Sequence, residues 1–530
     1  MGITKANSTD YLHPNESNLL ELHRAMDYDK AGKPIIRVTD VATATEGQGQ
    51  GAFGEVLTTS AVAVVQLDGL YGLTGDNADQ FQQYSALGGV VDIDDNLMHV
   101  QASDTAFSYA VLRSSRFLRY RPGQGASSKF TARFTAGKTN TEQRAGLFNQ
   151  EAAFMFGYNG DTFGILHSYG AKTHISELAI TVAPSASTDA TIALNGTNFT
   201  VALVDGETVN ETAARIARAT FTGWIAQQVD NKVTFLSESV GPKSGAFTFT
   251  HGTATGTFTT KQSGVVATDV WYPQSQWSVD RCDGSLDTYR NASGMNIDPT
   301  KFQVFAIQYR WLGAGVIKFS LEDPVTGVMT LVHEIHWVNT QTTTTVGNPS
   351  MKVGYVAYNL GGGSVEVFGG SMAMFVEGLI TQNDFPRAAI ESSSSNLAQN
   401  VYHHITTIQN PITHSGRINT REIIIQDLDI SVQSTDPVIA LMFINANLAT
   451  GNHVFTSLPE SLAQQSISTG TFNIANNTAV IALSLSINGT KQFDLTKYRL
   501  VLAPGNQISV CLFSTNSISN HAVSLAWTVD

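Results

Sequence analysis

At 530 residues and 42% hydrophobic content, the chain is long and apolar enough for roughly 2–4 folded domains, and it is no disordered polymer. Only 14% of its residues are charged, against about 25% in an average soluble protein, and the net charge is −13. That balance excludes a nucleic-acid binder, which needs a basic footprint; two distant cysteines, Cys282 and Cys511, exclude a disulfide scaffold or a zinc ribbon and read as small buried hydrophobes.

Residues 1–54 read as an N-terminal arm. Leu19, Leu20, Leu22 and His23 fall near helical spacing within Glu16–Met26. Thr43-Ala-Thr-Glu-Gly-Gln-Gly-Gln-Gly51 then gives an extended, Gly-rich segment. The first residues lack the apolar stretch of a signal peptide. No apolar run reaches the ~18 residues of a membrane span. The expectation is synthesis in a cytoplasm without classical export and without membrane insertion. The Asn-x-Thr sequences at Asn195 and Asn488 are therefore read as loops.

From 55 to 175 the pattern is β. Ala61–Leu67, Val90–Val100, Ser127–Thr135, Ala145–Asn149 and Ala153–His167 are rich in strand formers. Asn159-Gly160 marks a hairpin turn inside the last of these. Between 176 and 265 the character changes. A hairpin on Asn195-Gly196 precedes Thr208-Val-Asn-Glu211, a capping box that opens a helix through Ala213, Ile216 and Ala217. The strand Lys232–Leu236 follows. This is a compact α+β unit interposed between two β stretches that belong together.

From 266 to 385 the β pattern resumes. Its clearest part is a hairpin over 298–322. Phe305, Ile307 and Tyr309 share one face of the first strand, Val304, Ala306 and Gln308 the other, with Gly313 and Gly315 in the turn. Glu391-Ser-Ser-Ser-Ser-Asn396 reads as a polar linker. Residues 397–530 form a last β-domain with strands in 421–432, 438–445, 479–487, 507–513 and 522–529, a sandwich or jelly roll.

Several phrases between 110 and 380 resemble lectin-like β-sandwich structural proteins of virus particles, those of tailed phages and large DNA viruses. They are Arg116-Phe-Leu-Arg-Tyr-Arg-Pro-Gly-Gln-Gly125, Gly157-Tyr-Asn-Gly-Asp-Thr-Phe-Gly-Ile165, Pro273-Gln-Ser-Gln-Trp277, Ser293-Gly-Met-Asn-Ile-Asp-Pro-Thr-Lys301 and Trp311-Leu-Gly-Ala-Gly315. The resemblance implies a mainly β fold: a concanavalin-like sandwich with a small α+β insertion, followed by a second sandwich. It implies a capsid, tail or fibre component and supplies no catalytic residue.

The residues themselves offer few sites. His333-Glu-Ile-His336 is not a metalloprotease motif, and i and i+3 on a strand face opposite sides. Adjacent His403 and His404 diverge in the same way. Asp92-Ile-Asp-Asp-Asn96 has calcium-type oxygens but lacks the rest of an EF-hand and reads as a turn. Glu322 and Glu334 are the one carboxylate pair singled out for hydrolysis, which needs two acids ~5–9.5 Å apart. Asp280, Asp283 and Asp287 cluster near Gly284, beside Trp271, Tyr272 and Trp277. From these the expected glycan contacts are Trp271, Tyr272, Trp277, Asp280 and Asp283, with rings for stacking and oxygens for hydroxyls. The expected function is a non-enzymatic structural component of a virion. Its partners would be copies of itself, with a trimer as one form, other virion proteins and host-surface glycans. No cofactor and no resident metal are expected. A carbohydrate-active hydrolase and a non-viral lectin or adhesin stay open as alternatives.

Overall fold

Period-two alternation decides most of this fold, because a strand with one apolar face must lay it against another sheet. A computed structural model describes residues 26–28, 34–36, 61–73, 80–287, 289–378 and 387–530. The chain divides into a unit spanning Met1–Ser60 and one spanning Ala61–Asp530. In the first, Met26–Tyr28 pairs antiparallel with Pro34–Ile36. The expected helix ahead of Met26 and the Gly-rich segment lie outside the described residues.

In the second unit, two large antiparallel sheets stack. One holds seven strands, in the order Thr268–Pro273, Thr162–Tyr169, Ala153–Asn159, Thr141–Phe148, Lys352–Asn359, Tyr109–Ser114 and Phe81–Ala86. The other centres on Ala126–Phe134, with Gln303–Tyr309, Ile317–Glu322 and Met329–Ile335 to one side and Val365–Gly369, Leu97–Ala102 and Val90–Asp94 to the other. The predicted hairpin forms, with Phe305 opposite Leu321 and Tyr309 opposite Ile317. Its apolar parity (Phe305, Ile307, Tyr309, Ile317, Phe319, Leu321) is fully buried. The sheets interlock through rings: Phe156 of the first lies 4.7 Å from Phe305 and 5.4 Å from Phe319 of the second. The Tyr309 and Tyr355 hydroxyls, carried into this core, donate to the carbonyls of Pro349 and Thr131, both at 2.8 Å.

The intervening segment leaves and re-enters through one two-way backbone bridge, Lys172 with Val265. It builds a four-stranded and a three-stranded sheet around its own apolar cluster. Its helix, Val209–Ala217, starts on the predicted capping box and buries Ala213 and Ile216.

The C-terminal part is a second sandwich of five- and six-stranded sheets with Trp527, Ile425, Leu428 and Val510 inside. Here one expectation is corrected. The serine run is not a linker: Arg387–Leu397 is a continuous strand paired along Ile518–Val529, with Glu391 opposite Ser524 and Ser393 opposite Ala522. Ala388, Ile390 and Leu397 pack against the second core, so the strand is fixed by its flanks and the serines follow in register. The fold class is as expected: mainly β, a sandwich carrying an α+β insertion, then a second sandwich.

Candidate functional site

The expected glycan cluster is not one surface. Trp271 and Tyr272 are consecutive on an edge strand and point to opposite faces. Trp271 packs outside with Phe148, Met155 and Leu166. Tyr272 faces the interior, its ring 4.6 Å from that of His333. Trp277 is a core residue against Phe156 and Phe163. Asp280 is buried and organises a loop, accepting the N–H of Cys282 at 2.9 Å and of Ser293 at 2.7 Å. Burial leaves Trp277 and Asp280 without access to a ligand, which corrects their assignment. Asp283 is exposed and closes a local turn on the N–H of Ser285 at 3.0 Å. The Ser285 hydroxyl, and after it that backbone bond, hold its carboxyl below the usual range.

The other candidates resolve into structure as well. His333 is buried and accepts the N–H of Ser278 at 3.1 Å, while His336 lies outside beside Glu334 at 3.2 Å. His404 is buried, with its Nδ1 2.6 Å from the Ser468 carbonyl, while His403 reaches the Ala398 carbonyl at 3.0 Å. Asp95 and Asn96 take left-handed backbone at φ 47° and 61° to turn a hairpin, and Asp92 reaches His99 at 2.7 Å. Glu322 pairs opposite Met329, whereas Glu334 pairs opposite Lys318, four residues up the ladder. That separates the two acids by roughly 13 Å, outside the hydrolase range. Among the described residues no three His, Cys, Asp or Glu side chains come together to hold a metal. Cys282 and Cys511 are free and buried, and burial pushes both thiols up.

What the pairing register does assemble is the outer face of the seven-stranded sheet. Tyr109 sits directly opposite Tyr358, and Val111 lies between Tyr84 on one side and Val356 on the other. Arg113 sits between Gln82 and Gly354. The Tyr109 and Tyr358 rings stack 6.2 Å apart, inclined by 26°. Arg113 lies over the Tyr84 ring at 5.0 Å and donates to the Gln82 side-chain oxygen at 3.1 Å and the Tyr84 hydroxyl at 3.2 Å. Those bonds fix the guanidinium before any ligand arrives. Glycines pave the middle of the same face. At Gly157 a Cβ would lie 1.8 Å from the Gln143 carbonyl, so no side chain rises there.

The inserted unit supplies the second wall with Gly223, Ile225, Glu238 and Ser239, closing a groove of about 480 Å3. Burial, then the Glu238 carboxylate and Tyr358, raise the Tyr109 phenol, which stays a hydrogen-bond donor at neutral pH. The groove thus offers ring faces, phenol hydroxyls, the Gln150 amide, a guanidinium and one carboxylate. Trp271 occupies the same face at the opposite edge, five strands and roughly 24 Å away. The tyrosines escaped the sequence reading because 274 positions separate Tyr84 from Tyr358 (358 − 84) and only the strand register joins them. The alternation Tyr109-x-Val111-x-Arg113 is the one local signal of an outward aromatic face.

No protein-family model and no curated protein matches the sequence. Solved structures similar to parts of it include the Emp46p carbohydrate recognition domain in metal-free form, at 11% identity, 59% of this chain, 97% of that chain and a TM-score of 0.23. Lectin II from Ulex europaeus matches at 7% identity over 60% of this chain and all of that one, with a TM-score of 0.21. Arcelin-5, a lectin-like defence protein from Phaseolus vulgaris, matches at 8% over 59% of this chain and 97% of that one, also at 0.21. Likeness at this level carries no argument about function.

Proposed function

We propose that the protein binds glycans through the tyrosine groove without transforming them, as a structural component on the outside of a virus particle. The observation that carries the binding part is the groove itself. Stacked Tyr109 and Tyr358, Tyr84 under Arg113, and Glu238 opposite them combine ring faces with hydroxyl-reading polar groups in a volume suited to a small ligand. Binding fits this lining better than hydrolysis does. Among the described residues Glu238 is the groove's single carboxylate and the lining contains no His, Cys or second acid, whereas glycoside hydrolysis uses a pair.

The virion part rests on the phrases between 110 and 380 and on a surface poor in charge, 14% in all. Leu286 and Tyr289, at 98% and 89% exposure in one loop, offer apolar area for contacts between copies. Shallow sites repeated over copies would gain avidity by multivalency.

A glycan array probed with the full chain tests the binding reading. Selective retention that is unaffected by EDTA and weakened in Tyr358→Ala is expected. An array without selective retention sinks it, and release of reducing ends from a retained polysaccharide would replace it with a hydrolase. Mass spectrometry of purified virions tests the assembly part, which fails if the chain is absent from them.

A further inference from the structure

A second cavity, of about 300 Å3, lies where the two sandwiches meet and is walled by four arginines, Arg116, Arg119, Arg121 and Arg499, against two carboxylates, Glu422 and Asp530. Such a concentration of positive charge runs against the net charge of −13. Three of the arginines belong to the phrase Arg116-Phe-Leu-Arg-Tyr-Arg121, which the tyrosine groove does not use.

The four arginines are unequally committed. Arg116 forks onto Glu422 at 3.0 and 2.8 Å and gives its remaining amine to the Val64 carbonyl at 3.0 Å. Asp530 receives Arg119 at 2.6 Å on one oxygen and Arg121 on the other. Arg499 makes no ion pair among the described residues. Its backbone is left-handed, at φ 50°, where it ends the short turn Thr496–Tyr498. A long side chain is rarely held in that region. Arg119 is the most crowded cation. Burial, opposed by Asp530 and reinforced by neighbouring Arg121 and Arg421, lowers its guanidinium from the ordinary value without discharging it. The rest of the wall includes Val62, Val64, Val376 and Ile424, which offer an anion no competing carboxylate.

We propose that this cavity binds the anionic group, a carboxylate or a sulfate, of a small solute between Arg119 and Arg499. Asp530 is the internal carboxylate that partly occupies Arg119, together with neighbouring Arg121. A guanidinium fork matches the paired oxygens of either anion, and the Asp530 contact shows the chemistry the wall accepts. The cavity shares no lining residue with the tyrosine groove, so the two readings stand or fall separately.

The test is calorimetric titration of the full chain, at constant ionic strength, with sodium sulfate, with glucuronate and with glucose as the uncharged control. Saturable binding of at least one anion is expected, with sulfate alone indicating a free inorganic ligand and tighter glucuronate a sugar acid. Arg499→Ala, at an exposed position, should weaken that binding tenfold or more, as should Arg119→Gln. Asp530→Asn should tighten it severalfold, because the internal competitor loses its charge; a merely structural Asp530 would give no gain. Tyr358→Ala should leave it unchanged. The proposal is overturned if neither anion saturates the wild type, or if Arg499→Ala binds the anion as the wild type does.

Discussion

Removing the Tyr358 ring deletes half of the stacked pair on the groove floor. Tyr358→Ala is expected to weaken the glycan selected on the array about tenfold, or about 1.4 kcal/mol, with an unchanged far-ultraviolet circular dichroism spectrum. Trp277→Ala should behave oppositely. It empties core volume against Phe156 and Phe163 and should cost about 3–5 kcal/mol in urea unfolding, leaving affinity per folded molecule unchanged. The two rings could not be told apart beforehand, because composition reports aromatic area and not the face on which it lands. Histidines carry a third outcome. Burial first, and a neighbouring imidazole second, hold His333 and His453 down to about 4. The unfolded value is about 6.5. Above that value both states are neutral and the full stability is present. As pH falls from there toward 4 the unfolded chain gains protons that the folded one refuses, so stability drops through this window, by on the order of 3 kcal/mol per group at most. Urea midpoints measured across it should fall with pH, and His453→Gln should flatten part of the slope.

Among the elements, the helix of the inserted unit is the most local construction and was legible for that reason. The Thr208 hydroxyl accepts the Glu211 N–H at 3.3 Å, and the Glu211 carboxylate accepts the Thr208 N–H at 2.8 Å. All of its parts lie within four residues. Thr208→Ala should cost about 1 kcal/mol, seen as faster hydrogen exchange of amides in 209–217. The 303–322 hairpin was legible on the same grounds, since its parity and turn glycines are contiguous. The strand Arg387–Leu397 was not. Four serines carry no apolar pattern, and what orders them is the partner strand Ile518–Val529, more than 120 residues on. The groove shares that opacity: parity marks Tyr109 and Arg113 as outward, but Tyr84, Tyr358 and Glu238 join them only through non-local pairing.

Across the whole Ala61–Asp530 unit, separate apolar cores are joined by polar seams, and the seams decide how far one lobe can loosen without another. The inserted unit meets the C-terminal sandwich at Gln228. Its buried amide donates to the carbonyls of Phe455 at 2.8 Å and Asp230 at 2.7 Å, and its oxygen accepts the Phe455 N–H at 2.8 Å. Asp230 adds the Ser457 hydroxyl at 2.8 Å. Nothing apolar of comparable size is needed there, because a buried amide left unpaired costs about 1–3 kcal/mol and so penalises separation. Gln228→Ala with Asp230→Ala removes the Gln228 and Asp230 side-chain bonds of this seam while leaving both cores intact. Amides of Trp224–Val240 should then exchange faster by one to two orders of magnitude, as about 1.4 kcal/mol per factor of ten requires. Those of Ile518–Val529 should keep their wild-type rates, since that strand is held by Arg387–Leu397 and Ile423–Ser434. Equal acceleration in both segments would mean that the lobes unfold as one body and that the seam is not where they part.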